Sequence, residues 1–179
     1  RSFAYGEALI GQGFLKDSGE LVSGPHDFSK TNYLSLSDTQ QMLKAIVDPA
    51  SVPKNQRWAI PESMREQVLK IMALMPRQST DPLYPEAEYP DGYGRFFILG
   101  DVKTRKPDSL ILIGKVGEAY GYLTDVEYIT DVSSDWECYL SANIYVNADG
   151  IFNDDKYEYE SIGYPFLAVL GRAVWQVIN

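Results

Sequence analysis

Cysteine and histidine are almost absent from this chain, which carries one of each, Cys138 and His26. A single cysteine permits no internal disulfide, so an ordinary hydrophobic core must hold the fold. A single histidine excludes zinc sites built on two, and a Ser-His-Asp triad would rest wholly on His26 in the turn-like run Gly24-Pro25-His26-Asp27. We read His26 as a turn or surface residue. No apolar run approaches the roughly 18 residues of a membrane-spanning helix, and no charged, apolar, small-residue leader opens the chain. Basic residues are outnumbered 16 to 25 by acidic ones, for a formal net charge of −9, and they form no cluster. The positive footprint that nucleic acid requires is therefore missing. The chain starts at Arg1 rather than Met and is read as a mature or cut form of something longer.

What remains suffices for one core: 179 residues, 45% of them hydrophobic, are expected to form a single domain over 1–179. Residues 1–34 are rich in glycine and serine and read as loops with one or two short strands. Within 35–100, a helix is expected from Leu36, with Ser37 and Gln40 at capping-box spacing and Pro49 just beyond its end. A second helix follows Pro61, with Met64, Val68, Ile71, Met72 and Met75 on one face, a stripe read as core. Four prolines between Pro76 and Gly92 predict a long loop, and Gly94–Gly100 is read as a brief helix.

Residues 109–179 give the clearest pattern. Strands are expected over Leu110–Lys115, Ala119–Thr130 and Trp136–Asn147, antiparallel because the connections are short. In the third, Trp136, Cys138, Leu140, Ala142, Ile144 and Val146 alternate with polar or tyrosine positions, which places Cys138 on a covered face as a small core hydrophobe. A long C-terminal helix should follow, capped by Asn153 or Asp154 and presenting Tyr159, Ile162, Phe166, Leu170, Ala173, Val174 and Val177 to the sheet, with a bend or restart at Pro165. The expected architecture is α+β, an antiparallel sheet with packed helices. Asn147, Asp149, Asn153, Asp154 and Asp155 miss the spacing of an EF-hand and are read as turn and cap chemistry.

One lysine stands out, since Ile111-Leu112-Ile113-Gly114-Lys115-Val116-Gly117 delivers a cation from an apolar strand to a glycine. Together with Glu118-Ala119-Tyr120-Gly121-Tyr122-Leu123-Thr124-Asp125, then Tyr145-Val146-Asn147-Ala148-Asp149-Gly150 and Asn153-Asp154-Asp155-Lys156-Tyr157-Glu158-Tyr159, it resembles a bacterial serine-hydrolase branch of the serine β-lactamase and penicillin-binding-protein superfamily. The resemblance spans roughly 32–179 and concerns the C-terminal portion of that fold. It implies a partial β-lactamase/transpeptidase-like fold acting on an amide or ester through an acyl-serine intermediate. Lys115 would supply electrostatic support, the backbone N–H of Glu118 an oxyanion donor, and Val116 and Gly117 a substrate-binding strand edge. Val116 departs from the pattern because it lacks the hydroxyl that would meet a carboxylate.

The same resemblance implies an exported, periplasmic or cell-envelope setting and a small-molecule or peptide-like substrate, with no cofactor or metal. The nucleophile of a Ser-x-x-Lys turn is expected upstream of this chain, so the 179 residues alone are expected to be inactive. Ser51-Val52-Pro53-Lys54 matches the letters but falls between Pro49 and Pro61, where no long helix fits, and Ser37-Asp38-Thr39 is explained by helix capping. The rival expectation is a non-catalytic cell-envelope binding module or pseudoenzyme on the same fold. Its cleft would be lined by tyrosines such as Tyr84, Tyr89, Tyr93, Tyr120 and Tyr122.

Overall fold

The computed structural model describes residues 8–31, 33–134 and 136–178. In chain order it contains β1 (Leu9–Ile10), β2 (Gly13–Leu15), β3 (Leu21–Ser23), β4 (His26–Asp27), α1 (Leu36–Val47), α2 (Glu62–Ala73), β5 (Leu110–Ala119), β6 (Tyr122–Asp131), β7 (Trp136–Tyr145), β8 (Ile151–Phe152) and α3 (Tyr164–Ile178). It is an α+β structure with antiparallel-rich sheets. Among the described residues no helix is long and apolar enough to cross a membrane.

The three long strands form one antiparallel sheet in the order β5-β6-β7, as their short connections predict. The β5–β6 link is a two-residue turn in which Tyr120 (φ +55°) and Gly121 (φ +86°) both take left-handed backbone. That is the conformation whose twist matches a hairpin, although a tyrosine there is unusual. A smaller sheet, ordered β3-β2-β8, joins the early hairpin to the chain near its other end: β2 pairs β3 antiparallel and β8 in parallel, with Phe14 beside Phe152. β1 and β4 pair separately. Four short strands thus replace the one or two expected in this region.

Alternation assigns each face of the main sheet a different cover. Leu110, Leu112, Leu123, Ile129 and Trp136 point to one side, where they are buried against Phe96–Leu99 and Leu167. On the other side α1 packs on β6 and β7, and Gln40 locks it there: its amide donates to the Tyr139 carbonyl (3.2 Å) and accepts from the Ser141 hydroxyl (2.6 Å). α1 is capped by Ser35, whose hydroxyl accepts the Asp38 N–H at 3.0 Å, so the cap lies two residues before the expected Ser37. α2 runs beside β5 and contains no fully buried residue. Of its expected stripe only Met75, beyond the helix end, is buried, while Met64 and Ile71 are exposed.

Two further expectations are corrected. Residues 94–100 form turns rather than a helix, because Gly94 (φ +72°) and Ile98 (φ +68°) interrupt helical backbone. α3 buries Leu167, Ala168 and Gly171, whereas Ile162, Phe166 (49% exposed), Val169 and Val177 face away from the sheet. The helix is apolar almost all round, so hydrophobic spacing could not select the covered face. Small residues select it. A Cβ on Gly163 would collide with Leu123, and one on Gly171 would lie 2.6 Å from the Ile98 nitrogen. The break expected at Pro165 is present: a π-helical turn over Tyr159–Gly163 precedes α3, leaving Pro165 in its first turn.

Candidate functional site

Three pairs of interactions fix the segment 91–102 against the sheet. The Asp125 carboxylate accepts the Phe96 and Phe97 N–H groups, both at 2.9 Å, through the same oxygen. Arg95 donates to Glu127 (3.0 Å) and to the Met72 carbonyl. Arg172 of α3 donates to the Ile98 carbonyl (2.7 Å) and grips Asp101 through two bonds of 2.6 and 2.7 Å, which hold the Asp101 carboxyl below its ordinary range. Ile98 can remain left-handed, a costly state for a β-branched residue, because its neighbours on both sides are fixed.

Asp125 and Glu127 are fully buried on one face of β6, two residues apart, and the Arg95 guanidinium is bonded to Glu127. Gly114 lies opposite Glu127 on β5, and the missing side chain leaves the space that Glu127 occupies. One oxygen of each carboxyl, Asp125 Oδ1 and Glu127 Oε2, has no hydrogen-bond partner among the described residues. Burial pushes the Asp125 carboxyl up to about 6 against the pull of its backbone donors and Arg95. Burial, then the neighbouring Asp125 charge, drives Glu127 well above the carboxylate range. A proton retained on Glu127 leaves one carboxylate facing one arginine, which avoids an uncompensated buried charge.

Beside this support a cleft of about 740 Å³ opens between the 88–103 segment, the far end of β5 and the start of α3. Tyr93, Phe96, Val116 and Tyr164 contribute its apolar surface; Glu88, Glu118 and Glu160 contribute carboxylates, and Lys103 one ammonium. Phe96 packs on Tyr164 at 5.0 Å between ring centres, and the Tyr164 hydroxyl donates to Glu118 (2.5 Å). Burial, and then that bond, raise the phenol above its ordinary range. At the rim Tyr84, Tyr89 and Tyr93 stack edge to face in sequence, at 5.1 and 4.9 Å.

The four residues marked by the resemblance divide between two faces. Val116 and Glu118 line the cleft. Lys115 and Gly117 lie on the opposite face by strand alternation, and the exposed Lys115 ammonium donates to the Val116 carbonyl. Gly117 is open, with only Thr124 Cβ, at 3.9 Å, near the position of an added Cβ. Ser51 and Lys54 fall in separate 3-10 turns, and the Ser51 hydroxyl donates to the Asp48 carbonyl at 2.9 Å. His26 stacks on Phe14 (4.3 Å) and meets Phe28 edge-on (4.7 Å). Cys138 packs half-buried against the core, and burial raises its thiol.

Sequence reasoning missed Arg95, Asp125, Glu127, Glu160 and Tyr164. A signal was present: Asp125 and Glu127 interrupt the apolar set Leu123, Ile129 on the face that alternation assigns to the core. No family model, curated protein or solved structure matches this chain.

Proposed function

We propose that the chain is a non-catalytic binding module whose cleft takes an organic cation, an amine- or guanidinium-bearing ligand. The observation that carries this reading is the pairing of aromatic rings with surplus negative charge. Glu88, Glu118 and Glu160 face a cavity holding one lysine, while Asp101 is already matched by Arg172. Aromatic faces attract cations through their quadrupoles, and the carboxylates add Coulomb attraction inside a partly desolvated wall. A carboxylate-bearing ligand would meet repulsion there, and Val116 offers it no hydroxyl.

Calorimetric titration at low salt with spermidine, arginine amide and choline, against a dicarboxylate of similar size, tests the proposal. Saturable binding of at least one cation is expected, weakening as salt is added. The Glu118→Gln/Glu160→Gln pair should weaken it about tenfold, equivalent to ~1.4 kcal/mol. Lys115→Ala, on the other face, should leave it unchanged. Binding of the dicarboxylate without the cations would refute the proposal.

A second reading, acyl transfer in a larger β-lactamase-like hydrolase of the cell envelope, is favoured by one observation: Gly117 leaves the end of β5 open to a substrate backbone. Lys115 and the Glu118 N–H would then assist a nucleophile from outside these residues. A loss of acylation in Lys115→Ala of the whole protein would support that reading over the binding module.

A further inference from the structure

A second cleft, of about 490 Å³, lies on the α1 side of the molecule around Trp58. The indole is 46% exposed, and its N–H already donates to the Met42 carbonyl at 3.1 Å. With the N–H engaged the ring's orientation is restrained, while about half of the residue's surface stays open to the cleft it lines. Around it stand five side chains with planar polar ends: Asp38, Gln41, Asn55, Gln56 and Arg57. Their bonds within the protein hold them in place without exhausting them. The Gln41 side-chain amide donates to the Gln56 side-chain oxygen Oε1 at 3.3 Å, which leaves the Gln41 oxygen and the Gln56 NH₂ group to a ligand. Arg57 is anchored through Nε to the Val52 carbonyl (3.1 Å) and through Nη2 to the Ala50 carbonyl (3.5 Å), leaving Nη1. Asp38 Oδ2 accepts from the Ser35 hydroxyl (2.7 Å), leaving Oδ1. The Asn55 carboxamide is engaged by no other described residue.

From this arrangement we infer that the Trp58 cleft is a binding site for a neutral saccharide. A pyranose ring has a face of C–H groups, slightly positive, that packs on the negative face of an aromatic ring. Its rim carries adjacent hydroxyls, each donor and acceptor, which planar amide, carboxylate and guanidinium ends can bind in pairs. The charges of Asp38 and Arg57 cancel, so the cleft favours neither an anion nor a cation. Its volume falls in the range of small-ligand sites, about 300–1,000 Å³. A proline-rich peptide would also stack on an indole, but it offers one carbonyl per residue and no hydroxyls to five polar side chains. The site is separate from the acidic cleft beside β5 and does not depend on what that cleft binds.

Nitrogen-resolved NMR of the whole chain provides the test, because Trp58, Trp136 and Trp175 give three indole N–H signals. Titration with cellotetraose, maltotetraose and chitotetraose should shift the Trp58 signal and the side-chain amides of Gln41, Asn55 and Gln56 saturably with at least one of them. The signal of the buried Trp136 should stay in place. Trp58→Ala should abolish the amide shifts at an unchanged melting temperature, and Asn55→Ala should weaken binding about tenfold. The inference is overturned if none of the three sugars moves these signals, if Trp58→Ala binds as well as the parent, or if only a proline-rich peptide displaces them.

Discussion

Raising the pH from 4 to 8 should destabilise this protein, and the cause lies in the buried pair Asp125 and Glu127. In the unfolded chain an aspartate loses its proton near 3.8, whereas in the folded state burial holds Asp125 to about 6. Over that interval the folded state binds more protons than the unfolded one, so stability is fullest below the unfolded value and falls as pH rises through the folded one. A difference of about two units corresponds to about 3 kcal/mol. Glu127, raised well above its ordinary range by burial and then by the Asp125 charge, adds to the decline in the same direction. The exposed or partly exposed carboxylates Glu62, Glu86 and Asp101 shift the other way, through their arginine partners, and lose their support only as the pH falls below the ordinary carboxylate range. The stability maximum should therefore lie at about pH 4–5 rather than near neutrality. Urea midpoints measured from pH 4 to 8 give the profile directly. Glu127→Gln keeps an acceptor for Arg95 and removes one of the two buried titrating carboxyls, so it should flatten the decline. Stability that climbs between pH 4.5 and 6.5, or an identical slope in the variant, would refute this account.

The packing of α3 yields two further expectations. Leu167→Ala should cost about 2–5 kcal/mol because the side chain is fully buried, whereas Phe166→Ala, on the outer face, should cost less than about 1 kcal/mol. Denaturant unfolding of both variants checks the direction in which the helix faces, and a larger loss for Phe166 would reverse it. Gly171→Ala should destabilise by about 1–3 kcal/mol despite the better helix propensity of alanine, since the new methyl would press on the Ile98 backbone. Equal or higher stability of Gly171→Ala in the same assay would show that segment 96–99 yields freely.

The main sheet was legible from the strict alternation of its third strand, the apolar run that opens its first and the short connections. The first turn, however, was expected before Ala119 and lies at Tyr120-Gly121, so β5 runs on past Lys115 to Ala119. Helix positions were legible from capping and proline signals, but the buried face of α3 was not: its sequence is apolar on nearly every side, and close contacts at Gly163 and Gly171 decide the orientation. The α2 stripe read as core is only partly covered, with Met64 and Ile71 exposed and Val68 and Met72 half-buried, in a helix that contacts the edge strand β5. Lys115 was expected to end its strand and point into the cleft; because β5 continues to Ala119, alternation instead puts Val116 and Glu118 on the cleft side and Lys115 on the other. The Asp125–Arg95–Glu127 set could not be assembled, because Arg95 belongs to an irregular segment whose course depends on the carboxylates that bind it.

The pairing of β2 with β8 bears on the order in which the molecule folds. Phe14 and Phe152 are neighbours in space but 138 positions apart in sequence, so closing that loop carries a large entropic cost with little local gain to offset it. The hairpins β5–β6 and β6–β7 join residues separated by turns of a few positions and can form within their own stretch of chain. The aromatic cluster of Phe14, His26, Phe28 and Phe152, which spans that same loop, is therefore expected to assemble after the main sheet. On a ribosome, the early strands emerge first and wait, partnered only within their own hairpin, until the stretch around Phe152 has been made.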